Sequence, residues 1–168
     1  MDSELYLRLW SIVRRRAAMR TLSLDIGKRR IGVAVSDPLG MVARPVETVQ
    51  SVSLNVDVAR ITDIARGLEA ELIVVGDPIH MSGDPGTMSN RVHKFGETLQ
   101  EASGLPVVYC DERLTTVEAQ RILDDARVPP KKARQQIDAV AAAVILQSYL
   151  NQQSAMRPHD PQADDSDF

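Results

Sequence analysis

A single cysteine, Cys110, among 168 residues excludes an internal disulfide framework and makes a reducing cytoplasm the default compartment. Aromatic residues are only 4% of the chain, so an array of stacking platforms for single-stranded nucleic acid is excluded as well. No window reaches the ~18 consecutive apolar residues that a membrane-spanning helix needs. The N-terminus does not read as a secretory signal: Arg8 breaks "LYLRLWSIV", Arg14 to Arg16 follow it, and no small-residue cleavage site appears. A strong charge of one sign is also missing. The formal net charge is −3, and the last 18 residues carry one Arg and four Asp. Removing these from the 20 basic and 23 acidic residues leaves 19 of each over residues 1–150. A neutral body can still present a local basic face, and the local field is what a phosphate backbone feels.

What remains is the composition of an ordinary globular domain, 43% apolar and 26% charged, with length for one core. Residues 1–18 read as an N-terminal extension, with Met19 as an alternative start just ahead of the first strand. Residues 19–152 read as the folded domain, and residues 153–168 as an acidic, disordered tail. Thr21–Ile26 and Ile31–Ser36 are β-rich runs divided by a glycine turn, which predicts a hairpin. Met41–Val49 reads as a third strand, where Pro45 demands an edge position or a bulge. Ile61, Ile64, Ala65 and Leu68 recur at helical spacing. Leu72–Gly76 is apolar on both faces and reads as a central strand. Met88, Val92, Phe95 and Leu99 mark a second helix, and "PVVYCDE" a fifth strand. Thr115 with Glu118 fits a capping box that opens a third helix through Ala126. "VPP" breaks the chain before a last helix over Ala133–Leu150. The order βββ-α-β-α-β-α predicts an α/β fold with a five-stranded mixed sheet flanked by helices.

Three acidic positions need explaining, because a carboxylate taken out of water without partners is costly. Asp25 ends the first strand, Glu112, beside Asp111, ends the fifth, and Asp138 opens the apolar run "DAVAAAVILQSYL". Ligands of α/β sheets gather beyond the carboxyl ends of the strands, and a helix on the sheet can bring Asp138 there. Converging carboxylates repel unless a cation pairs with them. Oxygen ligands without a Cys or His cluster point to Mg²⁺ or Mn²⁺. Two such ions about 3.5–4 Å apart are the apparatus of in-line phosphodiester displacement. Each acid also has a plainer reading. Asp25 can be a turn residue, Asp111 can serve a helix start, and Asp138 can pair with Arg134 one turn before it.

"SLDIGKRRIGVAVSDPLG", "VVGDPIHMSGDPG", "CDERLTTVEA" and "IDAVAAAVILQSYL" resemble, in order and spacing, the motifs of the YqgF family. Its members are called pre-16S rRNA nucleases or RuvX-type Holliday-junction resolvase homologues. The resemblance runs from about Met19 to Leu150. It implies a ribonuclease H-like fold and a metal-dependent endonuclease, acting on pre-16S rRNA or on branched DNA. Carried over residue by residue, it makes Asp25, Glu112 and Asp138 the catalytic, metal-holding set. Asp25 would bridge two ions, and Asp111 is a further candidate ligand. Asp77 departs from the pattern, where family members usually have an apolar residue. It reads as a supporting or solvent-facing residue rather than a ligand.

The cations fit such a substrate. Lys28, Arg30, Arg113, Lys131 and Lys132 are candidate nucleic-acid contacts, Arg113 as a two-oxygen phosphate clamp. Arg29 reads as a surface charge. His80 could shuttle a proton, His93 and His159 have no ligand spacing, and Cys110 reads as a small packed residue. Two other functions are compatible with these residues: a non-catalytic clamp in ribosome assembly, indifferent to chelator, and a nucleotide-binding loop at "DIGKRRIGVAVSD". The second lacks a later glycine-rich loop for adenosine. Cutting a junction symmetrically favours a twofold dimer, whereas trimming an RNA end needs only a monomer.

Overall fold

The first strand, β1 (Thr21–Ile26), decides the geometry of the site through its pleat. Alternate side chains leave a strand on opposite faces, so Leu22, Leu24 and Ile26 share one face and Thr21, Ser23 and Asp25 the other. In the computed structural model, which describes residues 19–78, 86–111, 121, 127 and 129–156, each face meets different helices. β1 pairs antiparallel with β2 (Arg30–Ser36), and β2 with β3 (Ala43–Gln50). On its other side β1 pairs parallel with β4 (Leu72–Asp77), which pairs parallel with β5 (Val107–Asp111). The sheet order is β3-β2-β1-β4-β5. β4 is an interior strand, as its apolar run predicts, and β1 beside it is the middle one.

Leu22, Leu24, Val33, Ile73 and Val75 bury against α1 (Leu54–Gly67) and α2 (Thr87–Ser103), with Ile61, Val92 and Leu99 in the same core. The opposite face is covered by α3 (Pro130–Ala155). The helix starts earlier than its apolar run suggests. Pro129 caps it and Pro130 is its first residue, where a missing N–H and a fixed φ cost nothing. The second proline of "VPP" thus opens the helix rather than breaking the chain. Pro45 meets both expectations, since β3 is an edge strand and its register with β2 shifts between Val33 and Ala34. The helix expected over Thr115–Ala126 falls almost wholly outside the described residues, as do the expected N-terminal extension and all but the first few residues of the expected tail. No helix among the described residues is long and apolar enough to cross a membrane.

The strand expected from Met41 begins two residues later because "DPLG" makes a wider turn. Asp37 Oδ1 accepts from the Met41 and Val42 N–H groups at 2.7 and 2.9 Å, and Gly40 takes the positive φ of 67°. The Val42 N–H is the largest influence holding the Asp37 carboxyl below its ordinary pKa. Slight burial opposes it and the Met41 N–H adds to it. A depressed carboxyl pKa stabilises the fold above the unfolded value of about 3.9 and is lost as pH falls through the folded value. Asp37→Ala should therefore cost about 1 kcal/mol at pH 7. The gap from the parent, followed by urea unfolding, should close below about pH 4.

Candidate active site

Asp25 stands on the α3 face, one strand-repeat beyond Ser23, whose hydroxyl donates to the Ala142 carbonyl at 2.6 Å. Moving two residues along a strand advances about 6.6 Å. Moving four residues back along a helix advances about 6 Å, so the residue over Asp25 is Asp138. The sheet allows this approach because the strand partner of Asp25 is Gly32. A Cβ on Gly32 would collide with the Asp138 carbonyl, so this position accepts only hydrogen. Gly32, the strand partner of Asp25, thus lets the α3 backbone at Asp138, 113 positions from Asp25 in the chain, reach the same end of the sheet.

Asp138 is about three-quarters buried and Arg30 Nε lies 2.9 Å from its Oδ2. The N–H is not directed at the oxygen, and Oδ2 is buried without a hydrogen bond. The contact is an ion pair that leaves that oxygen with coordinating capacity to spare. Arg30, expected to face nucleic acid, is instead the immediate counter-charge of Asp138. The pairing of Asp138 with Arg134 lies outside what is described, since the Arg134 side chain is not among the described ones.

Glu112 and Arg113 also lie outside the described residues, so the expected acidic set is placed only in part. Asp111, at the end of β5, pairs across with Asp77. The pleat turns both towards α2, away from the face that holds Asp25. Among the described residues, no group of three or more His, Cys, Asp or Glu could hold a metal ion. Lys28, Lys131 and Lys132 are exposed, Lys28 in the β1–β2 turn and the other two in the first turn of α3. Cys110 is buried with Val74 and Ile145.

Asp77 is buried, not solvent-facing. Its Oδ1 accepts from Ser89 Oγ at 2.7 Å, and its Oδ2 is 2.7 Å from His93 Nε2. The His93 ring stacks on Tyr109 at 4.1 Å between centroids. Burial, then the charges of Glu97 and Asp77, raise the Tyr109 pKa, so the phenol stays protonated. This cluster ties α2 to the strand ends behind the Asp25 face. Ser89 went unnoticed in the sequence and His93 was set aside for want of ligand spacing, although their spacing of four puts both on one helical face.

A family model described as "RuvX: Holliday junction resolvase" matches residues 19–152. The chain is 41% identical over 134 residues to a protein of Roseiflexus sp. (strain RS-1) named "Putative pre-16S rRNA nuclease", covering 80% of this chain and 95% of that protein. A protein of Myxococcus xanthus (strain DK1622) with the same name is 41% identical over 150 residues, covering 89% and 97%. Among solved structures, Thermus thermophilus RuvC in complex with a Holliday junction substrate superposes with a TM-score of 0.55 at 15% identity, covering 82% of this chain and 97% of that one. The fowlpox virus resolvase with Holliday junction DNA gives 0.53 at 12% identity, covering 83% and 100%.

Proposed function

The chain belongs to the RuvX family and has a ribonuclease H-like fold, and from that premise we propose that it is a divalent-metal-dependent endonuclease of structured nucleic acid, with precursor 16S rRNA as its substrate. The names of its relatives at 41% identity support the choice of RNA. One observation carries the reading: Gly32, the strand partner of Asp25, lets the α3 backbone at Asp138 come down onto the carboxyl end of the middle strand. Two acids at one strand end carry more negative charge than Arg30 alone offsets, which favours a cationic guest.

The residues at hand suit Mg²⁺ or Mn²⁺. The donors are carboxylate oxygens, the preference of hard cations, and Asp138 Oδ2 is buried without a hydrogen bond. Asp25 and Asp138 would hold the ions together with Glu112, which follows Asp111 at the end of β5. Asp111 stays outside this set because its strand turns it to the other face. When bound, a pair of such ions supplies Lewis-acid polarisation of the phosphodiester and makes a water more acidic.

The chain's own residues do the rest. Arg30 offsets the charge of Asp138 and orients its carboxylate from the β2 side. Ser23, through its bond to Ala142, fixes the height of α3 over the sheet. Gln147 closes the far end by accepting from the Ala43 N–H at 3.0 Å and donating to the Met41 carbonyl at 3.1 Å. Lys28, Lys131 and Lys132 neutralise phosphates flanking the scissile bond without reading bases.

The test incubates the full chain with a structured 16S precursor RNA and, separately, a four-way DNA junction. Mg²⁺, Mn²⁺ or EDTA is present, and molecular mass is measured in the same buffer. Cleavage with either metal and none in EDTA is expected, with RNA cut in preference. Tight binding that EDTA does not alter, with no cutting in any buffer, would replace the nuclease by a clamp.

A further inference from the structure

On the side of the sheet opposite α3, a groove of about 430 Å³ runs between the β1–β2 turn, the start of α1 and the outer face of α2. Lys28, Arg91 and Lys94 line it, and Phe95 forms part of its floor. All three cations are exposed, and none takes part in the ion pairs found among the described residues. Arg91 and Lys94 are three apart on α2 and so share one helix face. Arg91 Nη2 donates to the Lys28 carbonyl at 3.3 Å, which fastens α2 to the turn and sets the cations side by side.

The carboxylate in the lining, Asp57, does not cancel them. It is buried and turned into the wall, where it accepts from Ser51 Oγ at 2.6 Å and the Val52 N–H at 2.9 Å. The groove therefore carries an unspent positive charge a short way from the acidic site. Lys28 follows Asp25 by three residues, which keeps their Cα atoms within about 10 Å. One strand of a duplex presents a phosphate about every 3.4 Å of axis. A backbone lying at Asp25 thus has further phosphates at the groove.

We infer that Lys28, Arg91 and Lys94 form a second, sequence-independent phosphate-backbone site, on which the duplex arm next to the cleavage point rests. The inference rests on the nuclease reading for its choice of ligand. Phe95 is 4% exposed and offers no face for base stacking, so the groove grips phosphates alone. Its signal in the sequence was Arg91 with Lys94, a pair hidden by the mixed charge of the helix.

The test measures binding by fluorescence anisotropy between about 50 and about 200 mM KCl. The full chain carries Asp25→Asn so that nothing is cut, and the probes are the precursor RNA and the four-way junction. Adding Arg91→Gln with Lys94→Gln should weaken junction binding about tenfold and reduce the slope of log affinity against log salt by about 1.8. Lys94→Glu alone, whose side chain has no described partner, should weaken it at least about fivefold. It decides the matter if the double variant melts early. Unchanged affinity and slope in folded variants would overturn the groove and leave the nuclease reading intact. Groove-dependent binding by these variants, beside a parent chain with Asp25 intact that never cuts with Mg²⁺ or Mn²⁺, would sink the nuclease reading and keep the groove. No binding to either probe would remove both.

Discussion

An Asp25→Asn variant is expected to cleave at least about 10³-fold more slowly than the parent while melting within about 3 °C of it. The substitution keeps the shape of the side chain and removes its charge. Asp25 sits at the end of β1 on the face that Asp138 approaches, where a bound cation would depend on that charge. The decisive readout is independent of catalysis. Mn²⁺ should raise the melting temperature of the parent through binding to the native state alone, and the rise should largely vanish in the variant. A variant that cuts at the parent's rate, or is stabilised equally by Mn²⁺, would remove Asp25 from the site.

The parts of this arrangement that were legible in the sequence share a physical reason. β1 was readable over its full length because its apolar run ends at "DIG", and the hairpin followed from the glycine. That the last helix would carry Asp138 to the Asp25 end of the sheet was legible in outline, since ligands collect at strand ends and the helix around Asp138 is too apolar to face water. Asp77 was harder to place. β4 is covered on both faces and shows no alternation, so the side to which its last residue points was hidden. The Arg30–Asp138 pair joins residues 108 positions apart, and nothing local marks it. Lys28, Arg29 and Arg30 look alike in sequence, yet the hairpin sends Lys28 to the groove and Arg30 to Asp138.

Gly32→Ala tests whether that convergence is a matter of backbone contact. Most glycine-to-alanine changes at unstrained positions stabilise slightly by restricting the unfolded chain. Gly67, at the end of α1, is such a position, because an added Cβ would meet nothing within 4 Å. Gly67→Ala should raise stability by a few tenths to about 1 kcal/mol. At Gly32 the obstacle is the Asp138 carbonyl and the Ala139 N–H, which are helix backbone and cannot swing aside. The helix must shift outward as a unit, and Ser23 would lose its bond to Ala142 in the process. The expected cost is about 3 kcal/mol or more, a fall in melting temperature of roughly 6–12 °C. Because the same shift draws Asp138 away from Asp25, cleavage below the melting range should drop along with Mn²⁺-dependent stabilisation. Asp138→Asn, which gives up only its ion pair with the half-exposed Arg30, should lose cleavage at a much smaller cost in stability, which separates a displaced carboxylate from a loosened fold. A Gly32→Ala protein as stable as the parent would mean that α3 does not ride on β2 so closely, and that Asp25 and Asp138 are not held together by this contact.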